Sequence, residues 1–297
     1  MKNFLTHAAL GAVSLIYAAT YNIVKFVTPD PIGPFALVVM RVVGAALLFS
    51  LFHAWFIREP IRDRKDFVRL GLCSFFGVIL NQLCFIKGVS LTTPINASVI
   101  MILSPVMVLL ASALLLKEPL TRLKLLGIAL GAAGVFWIIG GGGVSFGRET
   151  AMGDLLILTN AASYGLYLVL VKPLLVKYHA LTVIRWVFLL GIVGVVPVGG
   201  QSLAGLEISA VPAYAWQGAA FVVVATTFLA YLLNAWALRL VNPSVVGFYI
   251  YLQPILTTFI AIWLGTDTLT WSKIGAASLI FLGVYAVTRP TKKADLL

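Results

Sequence analysis

Charge is what this chain has least of: 10% of its 297 residues are charged, whereas soluble domains run near a quarter. With 61% hydrophobic residues and a mean hydropathy of +1.04, a water-soluble fold is excluded. Acid is scarcer still. The ten carboxylates (Asp30, Glu59, Asp63, Asp66, Glu118, Glu149, Asp154, Glu207, Asp267 and Asp295) fall in predicted loops, tails or helix ends, and His7, His53 and His179 also sit near helix ends. Carriers that run on protons commonly relay them through Asp, Glu or His inside the membrane. Facilitated diffusion or exchange is therefore expected here. Clustered Asp for Mg²⁺ and His/Glu sets for a hydrolytic metal are missing as well. No cofactor and no metal are expected, and the alternative reading, an intramembrane enzyme acting on a lipid-linked substrate, lacks its usual machinery. Cysteine is limited to Cys73 and Cys84. Eleven positions apart on one predicted helix, they lie about 16 Å from each other, beyond the roughly 7 Å reach of a disulfide.

What the chain has is apolar runs, at 5–27, 34–56, 67–87, 94–116, 122–140, 153–173, 182–199, 214–238, 243–264 and 272–288. A helix of about 20 apolar residues crosses about 30 Å of hydrocarbon, so ten such spans take about two thirds of the length and leave short loops. Turn signals separate them, including TPDPIGP at 28–34, GGGG at 140–143 and Asn242-Pro243. Of the 21 basic residues, Arg41 and Arg185 lie inside predicted helices. With the N-terminus inside, Lys25, Lys87, Arg148 and Lys273 fall outside and the other fifteen inside. That asymmetry satisfies the positive-inside rule and accounts for the net charge of +11 without nucleic acid as a partner. Both termini are expected in the cytoplasm, and the lipid bilayer, most simply a bacterial inner membrane, is the expected surrounding.

The sequence also repeats. Sliding it by 149 places Pro94 on Pro243, Pro105 on Pro254, Glu118 on Asp267, Thr121 on Thr270, Lys124 on Lys273 and Gly134 on Gly283. A shift of 147 aligns Tyr17 with Tyr164 and Lys25 with Lys172, and a shift of 144 aligns Arg41 with Arg185. The expected fold is thus all-α, a polytopic membrane protein of ten transmembrane helices arranged as two inverted five-helix repeats. Residues 1–140 form the first repeat, 141–152 the linker and 153–297 the second. Because the first segment has its counterpart at 153–173, it reads as a retained span and not as a signal peptide.

Polar groups inside spans are expensive and mark candidate sites. Arg41 is about seven residues inside its helix, free either to snorkel to the outer headgroups, to contact an anion or to brace a helix end. Asn81 and Gln82 are consecutive amides pointing about 100° apart, so one of them lines a cavity, or both serve hydrogen bonds between helices. Tyr17, Tyr21 and Asn22 answer Tyr164 and Tyr167 in the other half, nearer mid-span than an aromatic belt would be. Ser104, Tyr231, Asn234 and Tyr249 complete the candidate lining, with packing the alternative for each. Pro105 and Pro254 free carbonyls at matching positions and kink their helices. Gly127, Gly131 and Gly134 form a small-residue face suited to close helix packing.

The stretch GVSLTTPINASVIMILSPVMVLLASALLLKEPLTRLKLLGIALGAAGV at 88–135, its copy at 243–284 and the Arg41/Arg185 pair resemble the twin EamA units of the drug/metabolite transporter superfamily. The second copy departs with Asp267 where the first has Glu118, and with Gly265-Thr266 ahead of it. The resemblance implies a central cavity lined largely by helices 1, 3, 4, 6, 8 and 9, and alternating access. Similar proteins export amino acids and other metabolites, and relatives exchange sugar phosphates or nucleotide sugars. A cavity rich in aromatic and amide groups, with basic but no acidic ones, points to a neutral, zwitterionic or anionic small-molecule metabolite. Oligomeric state is not legible in the sequence.

Overall fold

In hydrocarbon a backbone must satisfy its own polar groups, which for these apolar runs means helix. The structure is a computed structural model that describes residues 2–28, 30–91, 100–101, 103–139, 151–253, 255–256 and 271–288. Helix α1 is Lys2–Val27 and α2 is Pro34–Phe56, with Pro34 at its first turn, where no amide is needed. Helix α3 runs through Arg64–Ser74, a π-helical turn at Phe75–Ile79 and Leu80–Leu91, started by the Asp63 carboxylate, which accepts from the Lys65 amide at 2.9 Å. Helices α4 (Ser104–Leu116) and α5 (Arg122–Ile139) follow. Then come α6 (Ala151–Lys177), α7 (Ala180–Ala204), and α8, made of Ala213–Phe221, π-helical Val222–Leu229 and Ala230–Leu240. Helix α9 begins at Pro243–Phe248 and α10 is Trp271–Thr288. Five of these, α2, α3, α6, α7 and α8, are long and apolar enough to cross a membrane. Large apolar side chains such as Leu114 and Trp271 stand on the outside, a surface that suits lipid and not water.

The main helix contacts pair α1 with α8, α3 with α6, α2 with α7 and α5 with α10, while α4 packs on both α6 and α9 and α2 also meets the π-helical part of α8. Small residues set the closest of them. A Cβ on Gly127 would lie 2.8 Å from the Gly283 carbonyl oxygen, and one on Gly283 would lie 2.6 Å from that of Gly127, so α5 and α10 touch backbone to backbone. The α3/α6 pair is tied at several levels. Lys177 at the end of α6 pairs with Asp63 at 3.2 Å and with Asp66, whose carboxylate also accepts from the Tyr178 hydroxyl at 2.7 Å. Farther along, Ser163 donates to the Phe76 carbonyl, and Asn81 and Asn160 each donate to the other's backbone carbonyl, at 3.4 and 2.9 Å.

Among the described residues two of the acids are buried. Asp66 and Glu118 stand at helix ends, as expected, but are 9% and 8% exposed and hold lysine partners. Helices α3, α6, α7 and α8 begin before and end after their apolar runs, as α3 does from Arg64 to Leu91, because backbone hydrogen bonding continues through the headgroup depth where charged side chains are solvated. Pro94, Pro254, the GGGG run, the linker's 141–150, Asp267 and the C-terminal 289–297 lie outside the described residues, as do the side chains of Tyr21, Asn22, Lys25 and Lys273.

Candidate functional site

The two π-helical turns occupy matching places in the chain. Shifted by 149, Phe75–Ile79 falls inside Val222–Leu229. A π turn inserts a residue, loosens the hydrogen-bond ladder and releases groups for other partners. Both turns use that freedom toward the same space. In α3 the Gly77 carbonyl accepts from the Tyr231 hydroxyl at 3.1 Å, and Tyr231 in turn accepts from the Gln82 amide at 2.9 Å. In α8 the Thr227 hydroxyl donates to the Val222 carbonyl, five residues back, at 2.7 Å, leaving its lone pair for Arg41 Nε at 3.1 Å.

Between α1, α6 and α8 lies a cavity of about 10 Å³, lined by Tyr17, Tyr164, Tyr167, Leu168, Tyr231, Asn234, Ala235 and Leu238. That is room for about one water and for nothing larger in this conformation. Asn234 donates to the Tyr17 hydroxyl at 3.4 Å and joins α8 to α1. Tyr167 lies flat on α3 only because residue 77 is glycine, where a Cβ would meet its ring at 2.3 Å. Arg41, 6% exposed, has the Tyr17 and Tyr231 hydroxyls within electrostatic reach. Among the described residues no carboxylate is within 4 Å of its guanidinium, and Thr227 is its hydrogen-bond partner. Snorkelling is therefore not what this side chain does. It points into the bundle, an arrangement that leaves positive charge beside the Tyr17 and Tyr231 phenols.

Of the twelve candidate residues, Tyr17, Tyr164, Tyr167, Tyr231 and Asn234 line the cavity, while Gln82 and Arg41 reach it through Tyr231 or lie beside it. The other amide, Asn81, faces α6 instead. Consecutive residues diverge by about 100°, so with Gln82 turned to the cavity Asn81 meets the neighbouring helix. Ser104 is fully buried against Met101, 3.7 Å from its sulfur, and does not line the cavity. Tyr249 sits in a separate cluster, its hydroxyl 2.7 Å from His7 Nδ1 and its carbonyl accepting from Ser14 at 3.0 Å. The side chains of Tyr21 and Asn22 are outside the described residues. Thr227, Asn160 and Lys172 were not among the candidates. Thr227 and Asn160 pass for ordinary helix residues in the sequence, and the signal for Lys172 was its alignment with Lys25. Among the described residues no three His, Cys, Asp or Glu side chains gather into a metal site.

A cavity lined by tyrosines and Asn234 thus lies beside paired helix distortions in a bundle with a lipid-facing exterior, and the sequence profile of the EamA-like transporter family matches the chain twice, at residues 6–140 and 151–289. The chain belongs to the EamA-like transporter family. It is an integral membrane protein. Uncharacterized transporter YyaM of Bacillus subtilis (strain 168) is 27% identical over 290 residues, which cover 96% of this chain and 93% of that one. An uncharacterized transporter of Archaeoglobus fulgidus is 25% identical over 287 residues, covering 96% and 98%. A solved crystal structure superposes with a TM-score of 0.77 over 96% of each chain at 18% identity, which shows a shared fold. This EamA-like chain is thus a membrane transporter, like the relatives it matches.

Proposed function

We propose that this EamA-like transporter moves a small amino-acid-like metabolite, neutral, zwitterionic or anionic, by alternating access, as an exporter or exchanger. Ten crossing helices form two inverted five-helix units, with both termini in the cytoplasm. The helix pairing supports that frame. Exchanging the halves sends the α1/α8 pair onto α6/α3 and returns α2/α7, α4/α9 and α5/α10 to themselves, as a pseudo-two-fold axis requires. The two separate profile matches support it as well.

The observation that carries the cargo class is Arg41, buried beside Tyr17 and Tyr231 with no carboxylate within ion-pair distance among the described residues. A buried guanidinium without an acid is poised for an external anionic group, and a carboxylate on the solute supplies it bidentately. A lipophilic cation finds no compensating acid there. Purified protein in liposomes, offered a panel of amino acids, other carboxylates and neutral solutes, tests the reading. Arg41→Gln and Tyr164→Ala are expected to cut uptake of the carried solute by about tenfold, the loss of one charged hydrogen-bond pair. Unchanged uptake in both variants at equal expression, or export of ethidium-like dyes by the native chain, would overturn it.

A further inference from the structure

Directly beneath the cavity, one turn along α6 from Leu168, Lys172 reaches across to α8. Its ammonium donates to the carbonyls of Leu238 and Val241, the latter at 2.7 Å. Leu238 is itself part of the cavity lining, and its carbonyl belongs to the last turn of α8, where carbonyls have no partner within the helix. One side chain of α6 therefore caps the end of α8 at Leu238, at the edge of the cavity. Because α6 is tied to α3 by Lys177, Tyr178, Ser163 and Asn160, this cap is anchored on a braced pair of helices. The segment of α8 that it holds, Ala230–Leu240, follows the π-helical turn Val222–Leu229, the weakest stretch of that helix's ladder.

A second acceptor waits nearby. Glu118, in the corner between α4 and α5, is within electrostatic reach of Lys172. Its Oε1 takes Lys124 at 2.5 Å, while its Oε2 is buried with no hydrogen-bond partner among the described residues. A buried carboxylate oxygen left open beside a lysine already bonded elsewhere is the arrangement expected of a pair that closes in another conformation.

We propose that Lys172 is the bolt of the gate at this end of the cavity. It holds the last turn of α8 when the gate is shut, and passes to Glu118 Oε2 when Ala230–Leu240 swings away about the π-helical turn. Lys172 and Glu118 thereby set the balance between the two states. The inference rests on the alternating-access reading and adds the device that governs one of its two openings.

The test needs no substrate. In full-length protein with Cys73 and Cys84 replaced by Ala, an Ala235→Cys reporter in the cavity wall is reacted with a membrane-impermeant thiosulfonate. The reagent is added from either face of reconstituted vesicles. Lys172→Met is expected to raise the labelling rate from the α8 C-terminal face by about fivefold or more and to lower the rate from the opposite face. Lys172→Arg keeps the native rates. Glu118→Gln, with the open-state acceptor weakened, lowers labelling from the α8 C-terminal face. Equal rates in native and Lys172→Met protein overturn the bolt while leaving alternating access standing. A parallel rise from both faces shows a loosened fold and also overturns it. Labelling from one face alone in every variant, whatever its rate, removes alternating access and the bolt together.

Discussion

At the scale of single residues, the site is organised by what each polar group lacks inside the membrane. Tyr231 is the hub: it accepts from Gln82, donates to Gly77 and faces the cavity with its ring. Asn81, next to Gln82 in sequence, does different work, bonding the Asn160 backbone across the α3/α6 seam. The two amides separate by assay. Asn81→Ala should lower the unfolding free energy by about 0.6 to 1.7 kcal/mol, the range for hydrogen bonds between membrane helices, while leaving the affinity for the carried solute intact. Gln82→Ala should shift that affinity, because it frees the Tyr231 hydroxyl to turn. Thermal melts in detergent beside concentration-dependent uptake in liposomes would show the contrast, and equal effects from both substitutions would refute it.

At the scale of elements, the π-helical turns and the helix seams decide what holds and what bends. Gly77 does two things in its turn, offering a carbonyl and leaving room for the Tyr167 ring. Gly77→Ala puts a methyl at 2.3 Å from that ring, too close to keep. Tyr167 must move, and uptake is expected to fall by at least about tenfold with a loss of roughly 1 to 3 kcal/mol in stability, as for overpacked cores. Transport equal to wild type would mean that Tyr167 does not shape the path. The ends of α3 and α6 are joined by charge instead of packing. The Asp63 carboxyl is held below its ordinary value of 3.8, first by the Lys65 amide and then by the Lys177 ammonium. A depressed carboxyl contributes stability that is present above the unfolded value and disappears as pH falls through the folded one. The drop in melting temperature below about pH 4 should therefore be shallower in Asp63→Asn than in the native chain. Superimposable acid limbs would assign the loss to other carboxylates.

At the scale of the whole molecule, acids are absent from the middle of the bundle among the described residues, and the two that are buried, Asp66 and Glu118, are paired with lysines at helix ends. A proton-driven carrier needs a titrating group that both faces reach in turn. Counterflow of labelled solute should thus proceed in liposomes with no pH difference. Asp154→Asn should leave its rate within about twofold, since the charge change lies at a helix end. Transport that vanishes without a proton gradient would require a relay through groups outside the cavity just described.

Much of this organisation was legible in the chain itself. Apolar runs of about 20 residues allow only helix in hydrocarbon, so the start of α2 at Pro34, the α5 start at Arg122 and the long apolar spans follow from composition alone. The shift of 149 exposed the repeat because identical turns need identical residues, and mid-span tyrosines marked the cavity because phenols cost less there than charges. Direction of a side chain was another matter. Whether Arg41 turned outward or inward depended on Thr227, 186 residues away, and Gln82 was chosen over Asn81 by Tyr231, 149 residues away. The separation of Tyr249 from the cavity and the capture of the α8 end by Lys172 have the same origin. Periodicity and hydropathy are local quantities and determine which segments cross. Helix rotation, π turns and the partners of buried polar groups come from the balance of contacts between segments, and only the packed structure decides them.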